Sequence, residues 1–353
     1  MNPPPSRPPG KTGAFGSGAP TIHDVAKAAG VSIGTVSKAL NDQGRLREET
    51  RVLVRETAAR LGFRPNDLAQ ALHRGKSLTV GMISSDSFGR FTMPIMEGLE
   101  GYLAGEGISV FMCNATDDPE RERLHIEQLL GKRVDGLVFT SRRADRRPTA
   151  DMTHLGVPTL FVYAQSHDPM AACLLPDDQQ GARDGVLHLA RLGRKRIAHV
   201  TGPDRFEAVV LRQTGYLQAL QQSGIDNYHM LLNGPWLETW GHDAVAQLFD
   251  HGGERPDAVF CGNDQIARGV IDALRERRIA VPGDVAVVGF DNWDVMTMAT
   301  RPALTSVDMN LRGMGKEAGV RLMAMIRGET FTGITRLPCS LAVRQSCGAT
   351  SAT

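Results

Sequence analysis

From Leu78 onward the sequence alternates short apolar runs with longer amphipathic stretches, and this alternation constrains the fold more than any other feature. The apolar runs are Leu78–Ile83, Ile108–Cys113, Val134–Phe139, Thr159–Val162, Ile197–Thr201, Ala258–Cys261 and Val285–Phe290. The stretches with helical periodicity are Ile95–Ala104, Arg121–Leu130, Ala182–Leu192, Leu211–Gln221, Asp264–Arg277 and Arg312–Ile326. Strands that alternate with helices of this length indicate βαβ units, and therefore parallel sheets with helices on both faces. Because the units are too many for one compact sheet, the sequence predicts an α/β core of two similar lobes.

Composition excludes several classes of protein. A chain of 353 residues fits two or three domains, and its low aromatic content of 5% favours an aliphatic core. No stretch approaches the ~18 consecutive apolar residues of a membrane span, and the amino terminus lacks the apolar segment of a secretory signal. The five cysteines are scattered without a C-x-x-C pair, which favours buried thiols in a reducing cytosol over disulfides or a metal site. We therefore expect a cytoplasmic protein without a metal or other cofactor.

Positive charge is concentrated in the amino-terminal part of the chain. Residues 1–76 carry 12 Lys and Arg against 6 Asp and Glu, a net charge of +6, whereas the whole chain carries +1. A basic front end on an acidic body suggests contact with a polyanion. Residues 1–20 are rich in Pro, Gly and Ser and have almost nothing to bury, so we expect a disordered tail there.

The segment after this tail has the pattern of three short helices, the first two joined by a tight turn. Thr21 and Asp24 form a capping box, Gly30 can take the left-handed conformation that ends the first helix, and Ser32 caps the second. The residues predicted to point inward are Ile22, Val25, Ala26 and Ala29, then Val36, Ala39 and Leu40, then Val52, Leu53 and Ala59 of a third helix over about 48–61. Two helices joined in this way, the second with an exposed face, predict a helix-turn-helix.

Several motifs in and after this segment resemble one family. The sequence reads TIHDVAKAAGVS over 21–32, TVSKALN over 35–41, TR at 50–51 and LGFRPN over 61–66. These motifs resemble the headpiece of the LacI/GalR family, and the resemblance extends to about residue 346. It implies a small all-α helix-turn-helix DNA-binding domain over 21–64 and a hinge helix with linker over 65–77. A two-lobed α/β core with parallel sheets, similar to periplasmic binding proteins, is implied over 78–346.

The resemblance also implies which side chains meet DNA. It places Ile33, Gly34 and Lys38 at base edges in the major groove. It places a further set near phosphates or bases: Thr21, Ser32, Thr35, Ser37 and Asn41. Lys38 can donate to guanine O6 and N7, but Gly34 offers no side chain where relatives often carry one that reads a base. We therefore expect base discrimination to depend on Lys38, Arg45 and the linker.

The run NDLAQALHR over 66–74 matches the hinge helix of the family, and such a helix is too short to be stable alone. The resemblance implies that it folds when two copies meet on DNA, with Leu72 wedged into the minor groove, Ala69 beside it and Arg74 near the backbone. The alternative is that Leu68 and Leu72 are an ordinary apolar pair on a linker helix. The first interpretation implies a homodimer, or a dimer of dimers, on an approximate palindrome.

Ligands of open parallel sheets bind beyond the carboxyl ends of the strands, where this sequence places several polar residues. The positions that match effector contacts in the family are Ser85, Phe91, Tyr163, Phe206, Arg212, Asn263, Asp291 and Trp293. Arg, Asn and Asp can bond adjacent hydroxyls in pairs, while an aromatic face covers the apolar side of a sugar ring. Without the resemblance, Arg212 is also consistent with a solvated helix position, and Asn263 and Asp291 with turn or cap residues. Tyr163 stands where many relatives have an acidic contact, which leaves the ligand's identity open.

The expected function is a sequence-specific DNA-binding transcriptional regulator, a repressor whose operator binding is controlled by a sugar. A nucleobase or another metabolite is the alternative effector, and a solute-binding transport component would need an export signal. An enzyme would need a catalytic set, and none is found. The G-x-S-x-G match over Gly30–Gly34 follows a helix rather than a strand, and the loops ending at 12 and 77 lack the first glycine of a phosphate-binding loop.

Overall fold

The computed structural model describes residues 20–63, 76–145, 155–225, 230–250 and 252–349. Contacts divide the chain into two compact units, Met1–Ser77 and Leu78–Thr353. The predicted tail, except its last residue, and the predicted hinge contacts Ala69, Leu72 and Arg74 lie outside the described residues. The domain boundaries that separate these segments therefore stay predictions.

The first unit contains three helices, α1 (Ile22–Ala29), α2 (Ile33–Leu40) and α3 (Glu48–Leu61). At the start of α1 the Asp24 carboxylate accepts hydrogen bonds from the backbone N–H of Thr21 at 2.8 Å and from its hydroxyl at 2.7 Å. At its end Gly30 has a φ of 66°, the left-handed conformation that glycine adopts without a Cβ penalty. These local signals set the turn between α1 and α2.

The core of this unit corrects the predicted orientation of α3. Its buried members are Val25, Ala26, Val36, Ala39, Val54 and Ala58. The sequence predicted that Val52, Leu53 and Ala59 of α3 point inward. In the structure Val52 and Leu53 are 43% and 47% exposed, and Ala59 is exposed as well. The helix instead buries Val54, Thr57 and Ala58. Because the apolar residues of α3 occupy both faces, periodicity could not decide which face packs on α1 and α2.

The second unit consists of alternating strands and helices. Its strands are β1 (Thr79–Ser84), β2 (Ser109–Asn114), β3 (Gly136–Thr140), β4 (Thr159–Val162), β5 (Ala172–Pro176), β6 (Ile197–Thr201), β7 (Met230–Asn233), β8 (Ala258–Cys261), β9 (Ala286–Asp291), β10 (Thr305–Asp308), β11 (Ile334–Leu337) and β12 (Ser340–Ala342). Its helices are α4 (Thr92–Gly105), α5 (Pro119–Gly131), α6 (Asp178–Arg191), α7 (Glu207–Gln222), α8 (Glu238–Phe249), α9 (Asp264–Glu276), α10 (Asp294–Thr297) and α11 (Leu311–Ile326).

These strands form two six-stranded sheets, each of which is the centre of one lobe. Lobe 1 has the strand order β11-β5-β4-β3-β1-β2, with parallel neighbours throughout. Lobe 2 has the order β12-β10-β9-β8-β6-β7, in which only the pairing of β10 with β12 is antiparallel. Central strands such as β3 and β6 are buried along their whole length, as parallel strands covered by helices on both faces must be. The predicted fold class is confirmed.

Within the described ranges the chain passes between the lobes three times. β5 of lobe 1 leads into α6, which packs on β9 and β10 of lobe 2. β10 leads into α11, which packs against α4 of lobe 1, and β11 of lobe 1 leads directly to β12 of lobe 2. Three short connections of this kind permit hinge motion between lobes that are otherwise separate sheets.

The sequence predicted the central strands of the two sheets more accurately than the strands at or near the sheet edges. Thr159–Val162, Ile197–Thr201 and Ala258–Cys261 are strands with the predicted boundaries. Strands β5, β7, β10, β11 and β12 and helices α8 and α10 were not predicted.

Candidate functional site

The first candidate site is the exposed face of α2. The Ser32 hydroxyl accepts a hydrogen bond from the backbone N–H of Thr35 at 3.1 Å, so the predicted cap forms at the amino end of the helix. Ile33, Gly34 and Lys38 are all exposed, while Val36 and Ala39 on the opposite face are fully buried. An exposed helix face that carries the cation Lys38 in its last turn can enter the major groove, as the second helix of helix-turn-helix proteins does.

The other predicted DNA contacts of this unit are distributed around α2. Thr21, Ser32 and Arg45 are exposed, and Thr35, Ser37 and Asn41 are half-buried. The segment between α2 and α3 is held by Asp42, whose carboxylate pairs with Arg51 at 2.8 Å and with Arg55 at 2.5 Å. This pairing joins the segment that carries Arg45 to α3.

The second candidate site is a cleft between the two lobes, at the carboxyl ends of their strands. Its volume is about 680 Å³. Asp86 follows β1 and Tyr163 follows β4 in lobe 1, while Asp291 ends β9 in lobe 2. The cleft therefore occupies the position at which parallel sheets bind ligands, and its size suits a small organic molecule.

Seven of the eight predicted effector contacts line this cleft: Phe91, Tyr163, Phe206, Arg212, Asn263, Asp291 and Trp293. The eighth, Ser85, does not line it. Its side chain is buried beneath the surface of lobe 1 and its hydroxyl donates to Ser141 at 3.1 Å. Ser85 thus helps to join the segments that follow β1 and β3, whereas the next residue, Asp86, lines the cleft.

Arg212 on α7 is buried at the lobe 2 side of the cleft. Its guanidinium bonds the Asp178 carboxylate at 2.7 Å and the carbonyl oxygen of Gly262, lies 3.7 Å from Asp291, and covers the ring of Phe290 at 3.6 Å. Burial alone would lower the pKa of Arg212, but the two carboxylates outweigh burial and raise it. The interpretation of Arg212 as a solvated helix position is therefore wrong. Arg212 is a buried cation, and most of its guanidinium N–H groups already have partners within the protein.

Asp291 lies between two guanidinium groups, one from each lobe. Arg90, in the segment between β1 and α4, donates to one of its carboxylate oxygens, and Arg212 approaches the other. Burial raises the pKa of Asp291, and the two arginines oppose this rise. Its backbone has a φ of 102°, outside the regions that residues with a side chain favour. Such strain persists where the surrounding fold fixes a residue, and it is often found at binding sites.

Asn263 and Asp264 begin α9 and support the same region. The Asn263 side chain accepts from the backbone N–H of Ile266 at 2.8 Å, so the helix-cap interpretation of Asn263 applies even though Asn263 also lines the cleft. Asp264 accepts from the backbone N–H of Trp293 at 2.7 Å and from the Ser306 hydroxyl at 2.5 Å. Burial, and then the nearby Asp291, raises the pKa of Asp264.

Aromatic rings form much of the remaining lining. The rings of Phe91 and Tyr163 stack with their centroids 4.7 Å apart in lobe 1, and Phe206 and Trp236 stack at 6.5 Å in lobe 2. Burial raises the pKa of the Tyr163 phenol, which therefore stays protonated. These rings line the same cleft as the charged groups.

Several lining residues were missed by the sequence reasoning: Asp86, Phe88, Arg90, Arg142, Arg143, Ala144, Asp145, Ala208, Trp236, Leu237 and Gln265. Asp86 and Arg142 carry a signal that could have found them, because each follows the end of a predicted strand by three residues. The others depend on how the two lobes meet. In the described part of the chain no helix is long and apolar enough to span a membrane, and no cluster of His, Cys, Asp and Glu is suited to a metal.

Comparison with known proteins gives matches over both units. Residues 21–66 match the pattern of "Bacterial regulatory proteins, lacI family", and residues 186–347 match a periplasmic binding protein-like domain. Catabolite control protein A of Priestia megaterium is 33% identical over 92% of this chain and 98% of its own length. The ribose operon repressor of Escherichia coli is 32% identical over 81% of this chain and 87% of its own length.

A solved structure agrees with the same assignment. The chain resembles the Lac repressor dimer bound to operator and the anti-inducer ONPF, with a TM-score of 0.76 and 28% identity. The match covers 94% of this chain and 100% of that chain. Proteins with this combination of headpiece and core are regulators of transcription, not enzymes.

Proposed function

The chain belongs to the LacI family of bacterial regulatory proteins, and on this premise we propose that it represses transcription under the control of a sugar bound in the interlobe cleft. It is a DNA-binding transcriptional regulator of a family that binds operators and small-molecule effectors and forms dimers. The proposal adds the class of effector, the residues that contact it and the way in which the cleft controls DNA binding.

The observation that carries the sugar proposal is the arrangement around Asp291. A carboxylate at the base of the cleft can accept hydrogen bonds from two adjacent hydroxyls, and the planar guanidinium groups of Arg90 and Arg212 lie on either side of it. Aromatic faces from Phe91 and Trp293 lie nearby and can cover the apolar side of a pyranose or furanose ring. Carboxylate and guanidinium groups can bond the hydroxyls of a sugar, and aromatic rings can cover its apolar face, so this combination suits a polyhydroxylated ring.

We further propose how effector and DNA binding are coupled. The predicted domain boundaries put the DNA-binding domain at 21–64, the hinge at 65–77 and the core at 78–346. Two protomers would read an approximate palindrome through α2, with the hinge segments paired in the minor groove. A sugar that binds one arrangement of the lobes more tightly shifts the population of that arrangement, and the paired hinges form or separate accordingly. A cytoplasmic location and a dimer, with a tetramer as the alternative, belong to the same proposal.

The test is a thermal-shift panel on the full-length protein. The panel contains D-ribose, D-glucose, D-galactose, cellobiose and lactose, their commercially available phosphates, and the bases adenine, guanine, hypoxanthine and uracil. A ligand at ~100 times its dissociation constant stabilises the folded state by about 2.7 kcal/mol, which the melting curve resolves. A shift with a sugar that is lost in Asp291→Asn supports the proposal, and a sugar shift unchanged in that variant contradicts the cleft assignment.

A nucleobase is the second candidate, and one contact favours it. The guanidinium of Arg90, a flat cation, already lies over the rings of Phe91 and Trp293, at 4.9 and 4.6 Å from their centroids. A flat base with amino groups could occupy the same space and donate to Asp291. A panel in which only bases stabilise the protein would select this candidate and reject the sugar.

A further inference from the structure

Arg90 makes contacts that the role of an effector-binding residue does not account for. It belongs to lobe 1, in the segment between β1 and α4, but its polar partners belong to lobe 2. Its Nη1 donates to the Gln265 side chain at 2.8 Å and its Nη2 to the Asp291 carboxylate. The side chain is only 13% exposed, so a guanidinium from one lobe is buried in the other.

The same guanidinium lies between two aromatic rings that line the cleft. It covers the ring of Trp293 from lobe 2 at 4.6 Å and that of Phe91 from lobe 1 at 4.9 Å. Cations over aromatic faces are attracted to them, and the attraction increases when water is excluded. Asp291, the acceptor at the base of the cleft, is thereby occupied by a group of the protein itself.

Other contacts between the lobes involve Glu207, at the start of α7. Its carboxylate accepts from Gln165 at 2.6 Å and from Arg336 at 2.7 Å, both in lobe 1, and its backbone N–H donates to Asp145 of lobe 1 at 2.8 Å. These contacts lie apart from Arg90 in the chain, but they depend on the same placement of the two lobes against each other. The amide of Glu207 therefore reports on closure.

We propose that Arg90 is a built-in occupant of the effector cleft: in the effector-free protein it bonds Asp291 and Gln265 and holds the two lobes closed, so that an effector binds by displacing it. The inference rests on the proposed function for the identity of the cleft, but the closure itself requires no effector. An incoming sugar then replaces the guanidinium at Asp291 with its own hydroxyls and replaces it between Phe91 and Trp293 with its ring. Buried ion pairs break at a cost unless a new partner is supplied, so the ligand must satisfy Asp291 as well as fit the space.

The proposal also explains one unsatisfied group. The Nε–H of Arg90 is buried and has no hydrogen-bond partner among the residues that the structure describes. Arg–carboxylate pairs are frequently bidentate, with two parallel N–H···O bonds, and Nε–H is one of the donors that can form such a fork. Arg90 therefore holds Asp291 with fewer bonds than its geometry allows, as suits a side chain that has to leave.

The experiment is hydrogen–deuterium exchange of full-length, effector-free protein, read by mass spectrometry at the Glu207 amide. In Arg90→Ala the lobes open more often, and we expect this amide to exchange at least about fivefold faster than in wild type. Arg142→Ala is the matched control, because Arg142 lines the same cleft but pairs with Asp117 of its own lobe at 2.9 Å. Its Glu207 exchange is expected to equal that of wild type.

A second variant keeps the test decisive if Arg90→Ala is poorly folded, which faster exchange throughout β8 would reveal. Gln265→Ala removes one partner of Arg90 in lobe 2 and leaves its other contacts in place, so a smaller acceleration in the same direction is expected at Glu207. If the Glu207 amide exchanges at the wild-type rate in a folded Arg90→Ala protein, the proposal that Arg90 holds the lobes closed is overturned. Where Arg90→Ala fails to fold, wild-type exchange in Gln265→Ala overturns it.

Occupancy of the ring space is tested without an effector by acrylamide quenching of tryptophan fluorescence, with Trp293→Phe variants giving the background of the other tryptophans. Removal of Arg90 uncovers Trp293, so the quenching constant assigned to Trp293 is expected to rise in Arg90→Ala and to stay at the wild-type value in Arg142→Ala. An unchanged constant in Arg90→Ala overturns the occupancy claim. Because no sugar is present, these results stand whether or not the effector panel identifies a sugar.

Discussion

The two functional regions of this protein use charge in opposite ways. On α2 the predicted base-contacting residues Ile33, Gly34 and Lys38 are exposed, and the buried core beneath them consists of six small apolar side chains, none larger than valine. In the cleft Arg212, Asp178 and Asp291 are buried and hold one another in place. A surface that meets a polyanion gains from solvated, adjustable cations, whereas a site for a small neutral ligand needs fixed groups with fixed geometry.

This difference predicts which substitutions change binding and which change the fold. On α2 a substitution is expected to remove one contact with DNA and little else, because Lys38 is exposed whereas the core of the headpiece consists of other, apolar residues. In the cleft a substitution leaves a buried partner without its counter-charge, so stability and ligand binding change together. The following predictions test this separation, beginning with the largest expected effect.

Asp291→Ala is expected to abolish the effector response while the variant still binds operator. The variant removes the carboxylate that is proposed to accept the hydroxyls of the sugar, and truncating one partner of a buried, hydrogen-bonded charged contact costs about 2–5 kcal/mol of binding. Operator titrations with and without effector measure both properties. Asp250→Ala, which breaks a surface pair with Arg277, is the control, and an Asp291→Ala protein that responds at the wild-type effector concentration would refute the cleft assignment.

Arg212→Met is expected to lower the free energy of unfolding by about 3–5 kcal/mol, because it leaves the Asp178 carboxylate buried and unpaired. Urea denaturation of the core transition measures this loss. Arg123→Ala removes an exposed arginine that bridges Glu120 and Glu127, and no measurable loss is expected there. Similar losses in the two variants would remove the distinction between the buried cleft and the surface.

His199 provides a pH-dependent test of the lobe 2 core. Burial lowers its pKa from 6.5 to about 4, while its Nδ1 stays 3.0 Å from the carbonyl of Phe260. The unfolded chain takes up the proton between these values and the folded chain does not, so His199 makes the protein less stable as the pH falls from 6.5 to 4. Relative to His199→Phe, the wild type should lose about 3 kcal/mol over this window. Parallel stability curves for the two proteins would show that His199 is not buried as described.

Lys38→Ala is expected to cost about 1–3 kcal/mol of discrimination at the base pairs that Lys38 reads, with the melting temperature of the protein unchanged. Competition binding with single-base variants of the operator measures discrimination. Arg60→Ala, on the exposed last turn of α3, is the comparison variant. A uniform weakening on all sequences would assign Lys38 to the phosphates instead of the bases.

The same contrast explains what could be predicted from sequence. Local signals located α1 and α2, because capping at Asp24 and Ser32 and the left-handed Gly30 depend only on near neighbours. Other elements depend on pairing and packing partners that are far away in the sequence. Strand β10, with the sequence TSVD, has little apolar character and is a strand because β9 and β12 pair with it. The face that α3 buries is chosen by α1 and α2, not by its own periodicity.

The sequence predicted part of the cleft, namely the residues that lie at or just after the ends of strands. Residues at strand ends, such as Asp291 and Asn263, could be chosen because parallel sheets place those ends together. Arg90 could not be chosen in this way, because it lies in an irregular segment. Its partners Gln265 and Asp291 are 175 and 201 positions away in the chain. Only the packing of one lobe on the other reveals that a loop residue contacts Asp291.

The central claim is that occupation of the cleft changes DNA binding by the headpiece, and one titration tests it most directly. An operator duplex selected in vitro from random sequence is labelled, and its affinity for the full-length protein is measured by fluorescence anisotropy with and without the sugar that most stabilises the protein. The account predicts a change of at least about fivefold in wild type and none in Asp291→Ala. Equal operator affinity with the sugar saturating the wild-type cleft would contradict it.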